Sequence, residues 1–504
     1  MDKKSSLTEL ADKMNSAQLG GGTEKIEAQH KLGKMTARER VRILLDDASF
    51  IELDKFYERS QSTTGFESVT AAGEGVITGY GTVDGRPIYV YAQDYTVLNG
   101  SMSCAQAQKI VKIMDMALQN GAPVIGILDS GGARISEGAA AMGAYGVLVK
   151  KMTDISGVVP TVCVVAGPCI GAAAVIAGLS DFTFAVDKAA VLLMHGQQIV
   201  SSSMGEAFKV DNISGAQAMN ERTGTAQFFS ANENEAYAAV RRLLSYLPSN
   251  NLDEAPSQMA EDDLNRQIPE SDAYDLDARD LIIKIADNND FLEYHAHYAK
   301  EAITGFARMN GNTVGFVATR GTETLTGATA KKAARFIMIL DAYHIPVILI
   351  VDSGDIPVQD EIQNENLISD ISGLLYALAQ ATVPMVAVIT GQAVAAGLLA
   401  VKSANADIVL AWSSAVISAL PEEAGALIQY EKEITSADDP ISARSAAIEK
   451  YKTEYANAFT AARLGVVDDV IAPSATRQMV IGALEACITK RQSKPPKKHG
   501  VLPL

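Results

Sequence analysis

The chain has 504 residues, 48% of them apolar, and a net charge of −17. Such a length allows roughly two to four domains, each with a sizeable core. The acidic balance argues against a nucleic-acid partner, because such binding needs basic patches that displace counterions from phosphates.

The opening stretch, 1–13, has no apolar run of the kind a signal peptide carries, so none is expected. Cys104, Cys163, Cys169 and Cys487 are scattered, and no CxxC pair occurs. A reducing compartment is therefore expected. His295 and His297 alternate in an expected strand and would share one face, but no metal-ligand spacing occurs and no metal is expected. The apolar stretch 371–401 is broken by Gln380, Pro384 and Gln392. It reads as a buried helix, a core strand over 383–390, and a second buried helix rather than a membrane span.

Read in chain order, the elements come twice. Thr36-Ala37-Arg38-Glu39-Arg40 opens a helical pattern that leads to Ser49-Phe50-Ile51-Glu52, and Asp277-Ala278-Arg279-Asp280 leads likewise to Asp290-Phe291-Leu292-Glu293. Ile77-Thr78-Gly79-Tyr80-Gly81 precedes the pair Asp84-Gly85, and Ile303-Thr304-Gly305-Phe306-Ala307 precedes Asn310-Gly311. Both pairs are hairpin-turn signals. Ala122-Pro123-Val124-Ile125 runs to Asp129-Ser130-Gly131-Gly132, and Ile345-Pro346-Val347-Ile348 runs to Asp352-Ser353-Gly354-Asp355, which starts 223 residues after Asp129. Val159-Pro160 leads to Gly167, and Val383-Pro384 leads to Gly391, 224 residues on. Near-constant spacing over four landmarks marks an internal repeat. Between the copies, 248–272 is rich in Pro, Asn, Ser and acidic residues. The expected organisation is a domain over 1–249, a linker over 250–272 and a second domain over 273–504.

Within the first copy, strands are predicted over 124–128, 161–166 and 182–186. Helical patterns are predicted over 135–152 and through the Gly/Ala-rich run to 177. Dense strand–turn–helix units mean an α/β fold with buried strands. Asp129-Ser130-Gly131-Gly132-Ala133-Arg134 sits between a strand end and a helix start. Paired glycines let the backbone approach a ligand, and free amides at a helix start suit a developing oxyanion; a plain turn is the alternative. Gly167-Pro168-Cys169-Ile170-Gly171-Ala172 is placed at the next strand–helix junction. Its small residues suit tight packing or a narrow ligand channel. Ser101 and Ser103 lie in no GxSxG elbow, and Ser130 has no evident histidine partner. Arg134 and Glu137, three apart on the expected helix, can pair with each other. No P-loop occurs, so ATP chemistry is not expected.

Over nearly its whole length the chain resembles the carboxyltransferase subunits of biotin-dependent acyl-CoA carboxylases and decarboxylases, of the propionyl-CoA carboxylase beta-chain kind. The resemblance rests on Gln29-His30-Lys31-Leu32-Gly33-Lys34-Met35-Thr36-Ala37-Arg38-Glu39-Arg40, on Gln93-Asp94-Tyr95-Thr96-Val97, and on Asp129 to Ile135 with Glu137-Gly138. It continues through Gly167-Pro168-Cys169, Asp181-Phe182-Thr183-Phe184 and Lys498-His499-Gly500-Val501-Leu502-Pro503-Leu504. It implies two tandem crotonase-like (ClpP/crotonase) domains related by duplication, in a homo-oligomer, a hexamer. It also implies acyl-CoA on the first domain, against Asn99, Gly100, Ser101, Ala133, Arg134, Gly167, Cys169, Gly171 and Ala172. Biotin would lie on the second, against Asp352, Ser353, Gly354, Asp355, Ile356, Leu398 and Leu399. The implied catalytic groups are backbone amides. Gly131 and Gly132 would hold the thioester oxygen, and Ala396 and Gly397 the ureido oxygen of biotin. Carboxybiotin would release CO2, the biotin nitrogen would take the α-proton, and the enolate would attack CO2.

The second copy departs from the family pattern. The family reads Asp-Val-Pro-Gly-Phe where this chain has Asp352 to Ile356, and Ala-Tyr-Gly-Gly-Ala-Tyr-Asp where it has Ala393 to Leu399. In the first copy, Asn99 stands in a usual Gly-Gly pair. No Ala-Met-Lys-Met biotinylation motif occurs, so biotin is expected on a separate carrier protein. The other expected partner is a biotin carboxylase or a membrane decarboxylase subunit. The expected place is the cytoplasm, or the edge of a membrane complex reached through that partner. Two alternatives stay open: a decarboxylase subunit of a sodium-pumping complex, and an acyl-CoA-binding scaffold without biotin chemistry.

Overall fold

The computed structural model describes residues 3–58, 72–204, 214–259, 262–269, 274, 276–319, 325–356 and 366–503. Leu504 of the C-terminal motif, and 260–261 and 270–272 of the expected linker, lie outside these. The chain divides into two compact units, Met1–Asp253 and Glu254–Leu504.

Each unit is built on one eight-stranded sheet. The first holds β1 (Ile51–Leu53), β2 (Val76–Val83), β3 (Arg86–Gln93), β4 (Val124–Ser130), β5 (Thr161–Ile170), β6 (Phe182–Val186), β7 (Val191–Leu193) and β8 (Phe228–Ser230). The second holds β9 (Phe291–Tyr294), β10 (Ala302–Met309), β11 (Asn312–Thr319), β12 (Val347–Ser353), β13 (Met385–Val394), β14 (Ile408–Trp412), β15 (Val416–Ser418) and β16 (Asp469–Ile471). The order β1-β2-β3-β4-β5-β6-β8 recurs as β9-β10-β11-β12-β13-β14-β16, and β7 and β15 pair off the ends of β5 and β13. The repeat read from spacing is thus a repeat of topology.

Local chemistry explains the shared elements. Thr36 caps the helix Ala37–Leu44 in a capping box with Glu39, and Asp277 caps Ala278–Ile285 by accepting the Asp280 amide; such caps satisfy first-turn donors. Asp84-Gly85 and Asn310-Gly311 all take positive φ and close the β2–β3 and β10–β11 hairpins. That matches the twist of the flanking antiparallel strands. The parallel strand β4 is buried along its whole length, which is why it reads as an unbroken apolar run with polar residues only at its end.

Four expectations change. Residues 135–137 form a single 3-10 turn, and the long helix begins at Ala139, because Gly138 breaks the backbone with φ 55 and ψ −133. Strand β5 runs on to Ile170, so Gly167, Pro168 and Cys169 lie within the strand, whose last three residues, Pro168 to Ile170, pair with β7. His295 and His297 do not alternate on a strand: β9 ends at Tyr294, and His295 turns away with φ 57. His295 is buried and His297 exposed. The described part of 254–269 belongs to the second unit rather than to a separate linker: it is largely exposed, but Ile268 joins that unit's core and the Gln258 amide donates to Gly311 O. No helix among the described residues is long and apolar enough to cross a membrane.

A duplicated feature escaped the sequence. Lys109 and Lys332 occupy corresponding positions on the helices Cys104–Asn120 and Gly327–Ala342, and both are buried. Lys109 donates to the carbonyls of Gly73 and Val76, each at 2.7 Å. Lys332 donates to those of His295, Tyr298 and Ala302 at 2.6–2.9 Å. Each ammonium ties down the loop that enters the long hairpin.

Candidate active site

At the carboxyl ends of β3, β4 and β5, three segments of the first unit meet. Ser130 Oγ donates to the Gly100 carbonyl at 2.8 Å. The Gly131 amide donates to Asn99 O at 2.8 Å, Met102 N to Gly132 O at 2.8 Å, and Arg134 N to Met102 O at 2.9 Å. These bonds zip 99–102 onto 130–134. Asn99, Gly100, Ser101, Gly131, Gly132, Ala133 and Arg134 are therefore together, as expected. Pairing of Ser130 with Cys169 brings in the end of β5. Gly132 sits at φ 102, and a Cβ there would lie 3.0 Å from the Ile170 carbonyl. Only glycine fits that turn without strain.

Accounting for each amide changes the expected oxyanion donors. The Gly131 amide already has Asn99 O. The Gly132 amide has Ser130 Oγ at 3.2 Å, a longer bond to a hydroxyl that itself donates elsewhere. The amides without an acceptor among the described residues belong to Ala133 and to Ala172 and Ala173, which open the helix Ala172–Leu179. Gly171, just before it, takes φ 66 and donates to Leu193 O at 2.7 Å.

Two side chains expected at a ligand are otherwise engaged. The Arg134 guanidinium is buried on Glu74, with Nη1 2.6 Å from Oε2 and Nη2 3.2 Å from the Glu74 carbonyl. It is not available to a phosphate. Its separation from Glu137 is 3.9 Å, and Glu137 instead accepts the Cys104 amide at 2.8 Å. Cys169 is fully buried, and burial pushes its thiol well above the usual range, so it offers no thiolate.

Behind the turn lies a buried polar cluster. Asp129 accepts from Arg40 Nη1 at 2.9 Å, Lys34 Nζ at 3.0 Å and Gln29 Nε2 at 3.3 Å, and Arg40 Nε reaches Glu233 at 2.6 Å. Gly167 passes so close that a methyl there would overlap the Asp129 carboxylate.

The second unit repeats the frame with fewer charges. Asp352 accepts the Gln392 amide at 2.7 Å, and Gly391 passes against its carboxylate. Leu281 stands at the Arg40 position, and no ion pair is formed by Asp352 among the described residues. Ser353 ends β12 beside Ala393, Gly354 follows, and Asp355 is exposed and accepts the Ile356 amide. Ala395 matches Gly171 and donates to Ser418 O at 3.1 Å. The next amides, of Ala396 and Gly397, find no acceptor among the described residues. A Cβ on Gly397 would lie 2.8 Å from Ser353 O, so the helix start packs hard on the end of β12. Leu398 is half-buried and Leu399 exposed.

The pairs set opposite one another from sequence are not duplicates. Gly131-Gly132 corresponds to Gly354-Asp355, and Ala396-Gly397 corresponds to Ala172-Ala173. The 224-residue offset at Gly167 and Gly391, carried six residues further, would have found Ala173.

Ala395 is strained, at φ 46 and ψ −107, where its counterpart is glycine. Ala395→Gly should raise the stability of the second unit by about 1 kcal/mol. Thermal unfolding reads this, and an unchanged or lower midpoint would contradict it.

Beside Gly397 lies an apolar cavity of about 60 Å³, lined by Val317, Leu325, Ala333, Val351, Gly397 and Ala400 among others. In the first unit the same space is filled, with Tyr91, Met102, Ile110, Leu128, Ala173 and Ile176 at the corresponding positions and Tyr145 added.

Comparison with known proteins gives one answer. The family model described as carboxyl transferase domain matches residues 28–502. The chain is 40% identical to the methylmalonyl-CoA decarboxylase subunit alpha of Propionigenium modestum, over 99% of each chain. It is 39% identical to the propionyl-CoA carboxylase carboxyltransferase subunit of Haloferax mediterranei, over 100% of each. Among solved structures it superposes with a TM-score of 0.96 and 37% identity on the transcarboxylase 12S hexamer with methylmalonyl-coenzyme A and methylmalonic acid bound, covering 100% of this chain and 99% of that one.

Proposed function

We propose, from the premise that this chain belongs to the carboxyl transferase domain family, that it moves a carboxyl group between a carrier-borne biotin and the α-carbon of a short acyl-CoA. The observation that carries this reading is the set of unclaimed amides at two matching helix starts, one in each unit. An enolate and a ureido oxygen each need donors aimed at a growing negative charge. Preorganised amides can supply about 3 kcal/mol per donor.

The Ala133, Ala172 and Ala173 amides, with Gly132 as a displaceable fourth, would hold the thioester oxygen on the first unit. The Ala396 and Gly397 amides would hold the ureido oxygen on the second. When bound, biotin supplies the carboxyl group and a ring nitrogen able to take the α-proton. No side chain at the turn offers a better base: Arg134 is committed to Glu74, Cys169 keeps its proton, and Asp129 is locked by Arg40 and Lys34. Replacing the family's second-copy glycines leaves two free amides in place. The relatives include both carboxylase and decarboxylase subunits, so the direction of transfer follows the partner. A separate biotin carrier, a hexamer of this chain and a membrane link through a decarboxylase partner belong to the same proposal.

A second reading exchanges the ligands. The apolar cavity beside Gly397 would take a short alkyl group, and its counterpart in the first unit is filled. That favours the acyl thioester on the second unit and biotin on the first. Calorimetric titration with propionyl-CoA and with biocytin separates the readings. If the acyl group sits on the first unit, Gly132→Val abolishes propionyl-CoA binding and Gly397→Val spares it. The exchanged arrangement reverses this. Binding of neither ligand by the folded parent protein would sink both.

A further inference from the structure

Glu74 is a buried carboxylate that the chemistry above does not use. It is 1% exposed and sits at φ 59 and ψ 21, directly after Gly73 at φ 56 and ψ 20. Two successive left-handed residues are uncommon, and a non-glycine residue there stores strain that its surroundings must offset.

The surroundings converge on it. Its carboxylate accepts from Arg134 Nη1 at 2.6 Å and from Ser103 Oγ at 2.9 Å. Its carbonyl accepts from Arg134 Nη2 at 3.2 Å and Gln106 Nε2 at 3.0 Å. Lys109 holds the carbonyls on either side, of Gly73 and Val76. Arg134 in turn reaches the Ser101 carbonyl at 3.2 Å, and its own amide is bonded to Met102. One residue therefore grips, through one guanidinium, the segment 130–134, which carries the unclaimed Ala133 amide and the Gly131–Gly132 turn, and the segment 99–102 zipped to it. The second unit keeps the lysine pin but has exposed Lys300 at the Glu74 position, so the clamp belongs to the first unit alone.

We infer that Glu74 is a positioning residue: acting through Arg134, it fixes the direction of the Ala133 amide and the conformation of the glycine turn. A charge pair inside a dry site is costly to half-remove. Without the Glu74 carboxylate, the buried Arg134 guanidinium would keep as a charged partner, among the described residues, only the more distant Glu137, at 3.9 Å. Removing the carboxylate should therefore loosen this turn first.

The test compares Glu74→Gln, Arg134→Gln and the double variant in the full-length protein, with the helix content and assembly of each checked against the parent. Hydrogen exchange reads the clamp without any need for activity. Glu74→Gln should speed exchange in 98–104 and 130–136 by about tenfold, with β6 unchanged. Because the residues act as one unit, the double variant should exchange no faster than the single ones. The kinetic arm rests on the carboxyl-transfer reading. There, kcat should fall about tenfold or more, with KM for the thioester within about twofold. Unchanged exchange in both segments, loosening spread evenly over the first unit, or effects that multiply in the double variant would overturn the inference. A parent protein without transfer would sink the functional reading and leave the exchange result to decide Glu74.

Discussion

Arg40→Leu is expected to destabilise the first unit by about 3–5 kcal/mol, because it strips the guanidinium from two buried carboxylates at once. Asp129 and Glu233 are 0% and 5% exposed, and both lie within 3 Å of Arg40. Lys34 and Gln29 stay on Asp129, whereas Glu233 keeps only neutral donors such as the Met35 amide. Leucine is what the second unit carries at this position, as Leu281, so shape alone is compatible with the fold. Denaturant unfolding followed in each unit separately reads the effect. A loss confined to the first unit is expected, and one below about 1 kcal/mol would show that the cluster is held by packing instead. Replacing Asp129 and Glu233 by apolar residues in the Arg40→Leu background should return part of the loss.

The second large effect is at Gly167. Its α-carbon passes the Asp129 carboxylate with no room for a methyl group. Asp129 cannot yield, since Arg40 and Lys34 fix both of its oxygens. Gly167→Ala should therefore cost about 3 kcal/mol, at the upper end of overpacking penalties. Gly391 faces Asp352 in the same way, but Asp352 is held by one backbone amide and no ion pair among the described residues. Gly391→Ala should cost less, because that carboxylate can swing aside. Equal losses would contradict the claim that the ion cluster is what makes the first site rigid.

How much of this was legible in the sequence depends on the range of each interaction. The duplication, the Asp84-Gly85 and Asn310-Gly311 hairpins and β6 were readable because each is set by residues close together or by a spacing that repeats. The resemblance to carboxyltransferase subunits, carried by the 29–40, 93–97 and 129–138 motifs, pointed to the family that the comparisons bear out. The donors at the turn were not readable. Whether the Gly131 amide is free depends on Asn99, 32 residues earlier, and whether Arg134 is free depends on Glu74, 60 residues earlier. Sequence spacing offered Glu137 as the nearer partner, and the chain chose the farther one because a 3-10 turn replaced the expected helix. The lysine pins, the strain at Ala395 and the cavity beside Gly397 likewise arise only once distant elements pack.

The central claim is that backbone amides at the two helix starts and at the 132–133 turn, rather than side chains, carry the chemistry. It is tested most directly by carboxyl transfer from methylmalonyl-CoA to biocytin, measured with the purified full-length protein alongside Gly132→Val, Gly397→Val and Ser130→Ala. The expected result is transfer by the parent, its loss in both valine variants while each stays folded, and retention within about tenfold in Ser130→Ala, which keeps every amide. Transfer that survives both valine variants, or that vanishes with the Ser130 hydroxyl alone, would contradict the claim and return the chemistry to a side chain.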